Sequence, residues 1–391
     1  MANLSTNILG IEFENPFILA SAPPTASVES IDKAFTLGWG GVVLKTITPD
    51  DLEMIEASPR FATLENNKKV IGFQNIELLS HKTIDEWCSG IKYLKEKHPT
   101  KVIIASIMAP VEKKAWQDIV LRLNETKIDA FELNFSCPHG MPEKNIGMAI
   151  GTSAEISSQI TSWVKEVTKK PFFVKLTPNV TDITEIASAV KKAGADGISA
   201  INTVQGFMGV NLDTLEPKLN INGKTTYGGC SGTIVKPIGL RCVSQVRKKY
   251  SLPILGMGGI STWQDAAEYI MVGSNAVQVC TEVMLNGYGI INNLKKGLSD
   301  YLDSKNFNSI SDIQNIMIEK LTTHEDLNKS KITYPSIDNN TCVKCGKCVN
   351  ICFESGHKAL EIKENGVNVL KDKCEGCSLC KHVCPKNAIK M

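Results

Sequence analysis

Of the thirteen cysteines in this 391-residue chain, eight crowd into the last fifty residues as two copies of one spacing. Cys342, Cys345, Cys348 and Cys352 form the first C-x2-C-x2-C-x3-C run, and Cys374, Cys377, Cys380 and Cys384 form the second. This is the spacing by which thiolates wrap iron–sulfur cubes, and in two-cluster modules the fourth cysteine of each run ligates the other cluster. One [4Fe-4S] cluster is then expected on Cys342, Cys345, Cys348 and Cys384, the other on Cys374, Cys377, Cys380 and Cys352. Zinc sites pair two C-x2-C units across a longer gap, without a third cysteine and an x3 closing ligand. Disulfides need an oxidising compartment and usually a small secreted domain. Pro385 follows Cys384 as the bacterial-ferredoxin form expects, whereas Phe353 after Cys352 departs from it outside the ligand set. A tail holding two one-electron centres points to a chain that moves electrons.

The length accommodates a large domain and a small one. A net charge of +2 and an ordinary charged fraction of 21% leave no block of like charges that would attract nucleic acid or a membrane surface. The start, Met1 to Asn7, has no basic region followed by an apolar core, which argues against a secretory signal. No apolar stretch approaches the roughly 18 residues needed to span a bilayer. Labile clusters and reduced thiols favour the cytoplasm.

Before residue 300, short apolar runs alternate with helix-like segments. The strand candidates are Phe17–Ser21, Gly41–Lys45, Val102–Ile107, Ala130–Asn134, Phe172–Leu176, Gly197–Ile201, Pro253–Gly256 and Ala276–Cys280. Between them lie amphipathic stretches such as Ser27–Leu37, Lys82–Lys97, Lys114–Asn124, Ala154–Thr168, Asp182–Ala193 and Trp263–Met271. Near-continuous apolar strands separated by helices imply a buried parallel sheet. Eight such units are what an α/β fold of the (β/α)8 TIM-barrel type needs. An open doubly wound sheet is the alternative, but no strand is followed by a complete G-x-G-x-x-G; Gly256-Met257-Gly258-Gly259-Ile260-Ser261 has Ser at the third glycine position. The expected division is a barrel over 1–299, a partly helical linker over 300–335 in which Ile310–Leu321 has helical periodicity, and a ferredoxin-like domain over 336–391.

Barrel chemistry sits at the C-terminal strand ends. Those ends read Ser21-Ala22, Lys45-Thr46, Ser106, Asn134 with Ser136-Cys137, Lys175 with Thr177, Asn202-Thr203, Gly258-Gly259 and Cys280-Thr281. Gly258, Gly259 and Thr281 suit a barrel phosphate site, where bare backbone N–H groups meet phosphate oxygens. A tight turn needing positive φ would ask for the same glycines. Lys45 and Lys175 finish apolar strands, where a charge is costly without a partner. A flavin ring that turns anionic on reduction, a bound phosphate or a structural carboxylate would each serve. Cys137 leaves a strand into a Gly- and Pro-rich loop, and a thiol with an ordinary pKa near ~8.5 keeps its proton at neutral pH and can act as an acid. A small buried thiol is the alternative, and Cys88, Cys230 and Cys242 read that way; Cys280 reads as a wall residue. His139 is a second candidate acid.

At this point the strings Asn15-Pro16-Phe17, Ser21-Ala22-Pro23, Asn134-x-Ser136-Cys137-Pro138, Lys175-Leu176-Thr177-Pro178-Asn179 and Asn202-Thr203 resemble the FMN barrels of dihydroorotate dehydrogenases. Three longer strings, from Gly72 to Glu77, Ser136 to Met141 and Thr225 to Gly232, are more similar to one branch, the C-terminal part of dihydropyrimidine dehydrogenase. The likeness runs over almost the whole chain, tail included. It implies FMN at the barrel mouth, contacted by Ser21, Lys45, Thr46, Asn134, Lys175, Gly232, Gly258, Gly259, Cys280 and Thr281. It implies a pyrimidine surrounded by Asn75, Glu77, Asn134, Ser136, Asn202 and Thr203, with Cys137 as general acid. Asparagine amides, each offering donor and acceptor, match the planar edge of uracil. The implied reaction is hydride transfer from the reduced flavin to C6 of uracil or thymine, with a proton from Cys137 to C5. Lys175 would offset negative charge on the flavin, and the loop carrying Pro142, Gly147 and Gly151 would close over the substrate.

Nothing in the chain resembles the FAD and nicotinamide domains of the long animal form. The resemblance therefore implies a separate partner subunit with FAD and an NAD(P)H site (PreT-like in bacteria), feeding electrons through the tail clusters, and barrel homodimers within the hetero-oligomer. Competing readings are a dihydroorotate dehydrogenase-type flavoenzyme, a non-catalytic ferredoxin-like carrier, and a tRNA dihydrouridine synthase. The His139-Gly140-Met141 continuation and fused tail argue against the first, the intact polar strand ends against the second, and the lack of a basic surface run against the third.

Overall fold

The apolar runs close into a barrel of eight parallel strands. They are β1 (Phe17–Leu19), β2 (Gly41–Val43), β3 (Val102–Ile107), β4 (Ala130–Asn134), β5 (Phe172–Leu176), β6 (Gly197–Ala200), β7 (Ile254–Met257) and β8 (Ala276–Val279). Each pairs with its neighbour in sequence order, and β8 returns to β1. This computed structural model describes residues 2–52, 54–137 and 146–391. The crossovers are α1 (Val28–Leu37), α2 (Ile84–Lys97), α3 (Lys113–Asn124), α4 (Ala154–Lys165), α5 (Ile183–Lys192), α6 (Lys236–Lys249), α7 (Trp263–Met271) and α8 (Ile290–Ser304).

Local signals set the helix ends. Thr83 and Glu86 form a capping box at the start of α2, Thr262 and Asp265 do so for α7, and α1 stops at Gly38 in the left-handed region. Apolar stripes on the helices cover the outer faces of the strands, and Trp39, Trp87 and Trp116 are fully buried there. Each side chain so buried contributes roughly 1.5–3 kcal/mol or more.

The barrel interior is layered. At its N-terminal end, Ile18, Val43, Ile104, Phe173 and Leu255 pack together, and the hairpin Thr6–Ile8/Ile11–Phe13 plugs the opening with Ile8 and Phe13. Because strand side chains alternate with period two, the next inward positions along the strands are Lys45, Ser106, Glu132, Lys175, Ser199 and Gln278. All of these are buried, so the upper interior is polar where the lower is apolar. Above them lies a four-stranded antiparallel sheet that the strand reading did not anticipate. It runs Val204–Gly206, Gly228–Ser231, Lys69–Asn75, Phe61–Asn66. Its strands are short and half exposed, which leaves little hydrophobic periodicity to read.

The chain forms two compact units, Met1–Lys320 and Leu321–Met391. Helix α8 runs through residue 299, where the barrel was expected to end, because its stripe Ile291, Leu294, Leu298 and Leu302 continues into the core. The helical periodicity of Ile310–Leu321 yields only 3-10 turns, Ile310–Asp312 and Ile318–Lys320. The Asn315 and Met317 amides donate to the Ile270 and Met271 carbonyls at the end of α7. They satisfy that helix end instead of building a helix of their own.

In the second unit, Ser336–Ile337 pairs with Ile389–Lys390 and Leu360–Lys363 with Gly366–Val369. Helices Lys347–Glu354 and Leu379–His382 each start inside a cysteine run. Ala359, Leu360, Val367 and Ile389 make a small core with Cys348, Cys352 and Cys380. Among the described residues no helix is long and apolar enough to cross a membrane.

Candidate active site

At the C-terminal end of the barrel, under the antiparallel sheet, lies a cavity of about 1260 Å³ including its open mouth. Ser21, Lys45, Thr46, Asn134, Lys175, Gly232, Gly258, Gly259, Cys280 and Thr281 all line it. So do Asn75, Glu77, Asn202, Thr203 and Cys137. Of the residues expected there, Ser136 alone does not. It is fully buried behind the wall, where its hydroxyl donates to Asn134 Oδ1 at 2.9 Å and accepts from Asn202 Nδ2 at 2.7 Å. Its place is that of a brace between two cavity-lining amides.

That brace belongs to a longer chain of hydrogen bonds around the mouth. Ser21 Oγ meets Thr46 Oγ1 at 3.0 Å, Asn134 Nδ2 donates to Thr46 Oγ1 at 3.0 Å, and the Thr203 amide donates to Asn202 Oδ1 at 2.8 Å. The side chains from β1, β2, β4 and β6 are thereby oriented before any ligand arrives. On the lid, Asn75 Nδ2 donates to the Gly229 carbonyl at 3.1 Å, tying two strands of the antiparallel sheet.

Both strand-ending lysines have carboxylate partners. Lys45 Nζ lies 3.0 Å from Glu77 Oε1, and Arg60 Nε holds Glu77 Oε2 at 3.0 Å. Lys175 Nζ lies 3.4 Å from Oε1 of Glu132, which is fully buried below the cavity floor. Of the partners open to these lysines, structural carboxylates are present, and both lysines also line the cavity.

Gly258 and Gly259 both adopt positive φ, 119° and 73°. A Cβ at Gly259 would stand 2.8 Å from the Gly232 carbonyl oxygen, so the tight turn is a genuine requirement. It also leaves bare backbone on the cavity wall beside Thr281, whose hydroxyl donates to Ser231 Oγ at 2.8 Å. The short helix Thr281–Asn286 opens at this wall, and the first N–H groups of a helix have no partner within it. A phosphate group would find donors here. Tyr269 Oη holds the Gly258 carbonyl at 2.7 Å, and burial pushes that phenol well above its usual range.

Cys137 is nearly buried among Leu79, Met108 and Ile146, with its sulfur-bearing side chain on the cavity wall. Its carbonyl accepts from the Met148 amide at 2.9 Å. Gly151 packs against β4's exit so closely that a Cβ would lie 1.9 Å from the Phe135 carbonyl oxygen. The glycines flanking the loop serve close approach here. Pro138, His139, Gly140, Met141 and Pro142 lie outside the described residues. Burial pushes the Cys280 thiol up to about 11 against the pull of Lys175 and Lys45, so it is a protonated wall residue at neutral pH. Cys230 and Cys242 are buried with raised pKa values, Cys230 on the cavity wall and Cys242 in the core; Cys88 is half-buried.

Several lining residues were not foreseen: Phe61, Phe73, Ser231, Ser261 and Gln278. Ser231 and Ser261 each fall in a string already noted, but Phe61 and Phe73 come from the lid sheet and Gln278 from a strand interior, where residue type alone carries no signal.

In the second unit, Cys342, Cys345, Cys348 and Cys384 line one cavity, and Cys352, Cys374, Cys377 and Cys380 line another. Each fourth cysteine thus stands with the other run's first three. The Ala359 amide donates to Cys352 Sγ at 3.2 Å and the Ala388 amide to Cys384 Sγ at 3.3 Å. Such donors stabilise thiolate charge. Among the described residues, no three His, Cys, Asp or Glu side chains gather as they would on a single metal ion. The thiols instead stand around voids, as a multi-atom cluster needs.

A barrel whose strand ends bring polar side chains to one cavity, joined to a two-cluster iron–sulfur module, defines an oxidoreductase. Residues 3–302 match the family model described as dihydroorotate dehydrogenase, and residues 335–391 match a 4Fe-4S dicluster domain. The chain belongs to the dihydroorotate dehydrogenase family and carries a dicluster tail. It is 39% identical, over all of its own length and 95% of the relative's, to the NAD-dependent dihydropyrimidine dehydrogenase subunit PreA of Escherichia coli K12. It is 38% identical to the chloroplastic dihydropyrimidine dehydrogenase (NADP(+)) of Arabidopsis thaliana, covering 84% of this chain and 80% of that one. The catalytic subunit of dihydroorotate dehydrogenase B (NAD(+)) from Pyrococcus abyssi is 37% identical over 79% of this chain and 97% of its own.

Proposed function

We propose that this chain is the pyrimidine-reducing subunit of a dihydropyrimidine dehydrogenase, converting uracil or thymine to the 5,6-dihydropyrimidine in pyrimidine base degradation. The observation that carries this reading is the gathering of Asn75, Asn134, Asn202, Thr203 and Cys137 around one cavity, in a chain similar to PreA over its full length. The cavity fits FMN: its floor holds two lysines, one wall offers bare backbone at Gly232, Gly258 and Gly259, and Gln278 Oε1 is a buried acceptor with no hydrogen-bond partner. Bound FMN would supply hydride chemistry at C6 of the pyrimidine.

The chain's own residues do the rest. Asn134 and Asn202, braced by Ser136, present amides to the ring's carbonyl and N–H edge. Thr46 keeps Asn134 oriented toward them. Cys137 holds a proton and delivers it to C5. Lys45 and Lys175 place positive charge where the cofactor's electron-rich edge would lie. Lid residues Phe61 and Phe73 add apolar surface to the cavity lining.

Electrons enter through the tail clusters from a partner subunit carrying FAD and an NAD(P)H site, in the cytoplasm. The dihydroorotate dehydrogenase reading is disfavoured because the similarity that includes the tail is to proteins named for dihydropyrimidines. The test is anaerobic purification with cofactor analysis, followed by assays with uracil and with dihydroorotate. The isolated chain should contain FMN and iron–sulfur clusters and reduce uracil with an artificial donor but not with NADH. Turnover of dihydroorotate without turnover of uracil would overturn the substrate assignment, and brisk NADH-driven uracil reduction would overturn the partner.

A further inference from the structure

The buried group beneath the cavity floor has an arrangement that pairing alone does not require. Glu132, on β4, is fully buried and does not line the cavity. One oxygen lies 3.4 Å from Lys175 Nζ on β5, and the other accepts Gln278 Nε2 from β8 at 2.7 Å. The same Gln278 nitrogen lies 3.3 Å from Ser199 Oγ on β6. Lys175 and Gln278 line the cavity from above this group, at 4% and 1% exposure. With both of its contacts made through nitrogen, the Gln278 amide has its orientation set, and its Oε1 is left without a partner. The carboxylate thus touches, from below, two residues that a ligand would touch from above.

We infer that Glu132 is a positioning residue that sets the electrostatics of the bound flavin. It balances the charge of Lys175 and fixes the Gln278 carbonyl as an acceptor for a ligand N–H. The inference rests on the flavin reading proposed above. An ammonium paired with a carboxylate on the side away from the ligand exerts a weaker field on that ligand than a bare one. The charge is buried, so solvent does not screen it. With Glu132 ionised, Lys175 stabilises a ligand that gains negative charge on reduction only in part. The flavin is then kept a ready donor to the pyrimidine ring. Neutralising Glu132 unmasks Lys175 and makes the flavin hold its electrons more tightly.

The test uses the full-length holoprotein and compares wild type, E132Q, E132D, K175M and the E132Q/K175M double variant. Bound FMN is measured first, then the flavin midpoint potential and the affinity for sulfite, a probe that bleaches flavin absorption when it adds to the oxidised ring. E132Q should raise the potential and tighten sulfite binding about tenfold or more, the size expected of an uncompensated buried charge. K175M should shift both the opposite way, and E132D, which keeps the charge, should stay near wild type. Should E132Q fail to fold because it strands a buried lysine, the double variant removes both charges and leaves neither ion unpaired. With no Lys175 charge left to unmask, it should show no rise in potential above wild type. Normal FMN content in E132Q with unchanged potential and sulfite affinity overturns the inference while leaving the flavin reading intact. So does an E132D shift as large as that of E132Q, or a double variant whose potential rises above wild type although Lys175 is gone. A wild-type protein that binds no FMN overturns both.

Discussion

Replacing Ser136 by Ala removes a single oxygen from a fully buried position, with no added bulk. That oxygen donates to Asn134 Oδ1 at 2.9 Å and accepts from Asn202 Nδ2 at 2.7 Å. After the change, Asn134 Oδ1 keeps only the Ser136 backbone amide at 3.3 Å, and Asn202 Nδ2 loses the partner that holds it. A lost neutral hydrogen bond costs about 1 kcal/mol, and a buried polar group left unsatisfied costs about 1–3 kcal/mol. The summed loss in unfolding free energy should be about 2 kcal/mol, because the cavity gives Asn202 some access to water. The same two amides are proposed to orient the pyrimidine, so catalysis should suffer in parallel. At about 1.4 kcal/mol per factor of ten, kcat/KM for uracil should fall roughly 10- to 100-fold. Denaturant unfolding measures the first quantity, and uracil reduction with an artificial donor measures the second, at FMN content equal to wild type. A stability loss of the expected size with kcat/KM within twofold of wild type would refute the reasoning: Ser136 would then brace the strand ends without orienting the substrate.

Cys137→Ala should lower turnover by orders of magnitude while FMN content stays normal, and unchanged turnover would remove Cys137 as the acid. In the tail, Cys384→Ala should damage the same cluster as Cys342→Ala, and Cys352→Ala the same cluster as Cys374→Ala. Low-temperature electron paramagnetic resonance of the reduced protein separates the two centres, and pairing by sequence run would contradict the cavity assignment. Asp265 offers a pH test. Burial raises its pKa, but hydrogen bonds from Lys236 and from Ser261 and Thr262 outweigh burial and hold it below the usual carboxylate value. A carboxyl depressed on folding contributes stability that is present above its unfolded pKa near ~4 and is lost as pH falls through the folded value. Asp265→Asn should therefore flatten the acid limb of the stability profile below about pH 4, read by thermal unfolding across pH. An acid limb as steep as that of wild type would show that this carboxylate is not a source of the acid lability.

Much of the site could be read before any coordinates because a parallel barrel imposes two simple codes. Its strands are apolar on both faces, and its chemistry clusters at one end of each strand. The step from Val43 to Lys45, from Phe173 to Lys175 and from Leu133 to Asn134 marks that end within the chain itself. The lid was harder. Phe61 and Phe73 belong to strands of mixed, mostly half-buried residues, and the place of Phe73 follows from its strand's pairing with Gly228–Ser231, some 150 residues away, that of Phe61 from pairing with the strand of Phe73. Ser136 shows the limit at single-residue scale. A serine between Asn134 and Cys137 reads as a ligand contact, yet its neighbours take the cavity wall and leave it behind.

Cysteine spacing and the rhythm of apolar runs determined the two-part plan, because both are local: a ligand spacing is set by chain geometry and a buried strand by its own composition. Which carboxylates face Lys45 and Lys175, and which polar side chains line the cavity, were decided only by tertiary structure. Glu132 comes 43 residues before Lys175 and Glu77 32 after Lys45; only closure of the barrel and its lid makes them partners. Charge pairing and hydrogen bonding act over a few ångströms, and those ångströms are set by the fold, not by position along the chain.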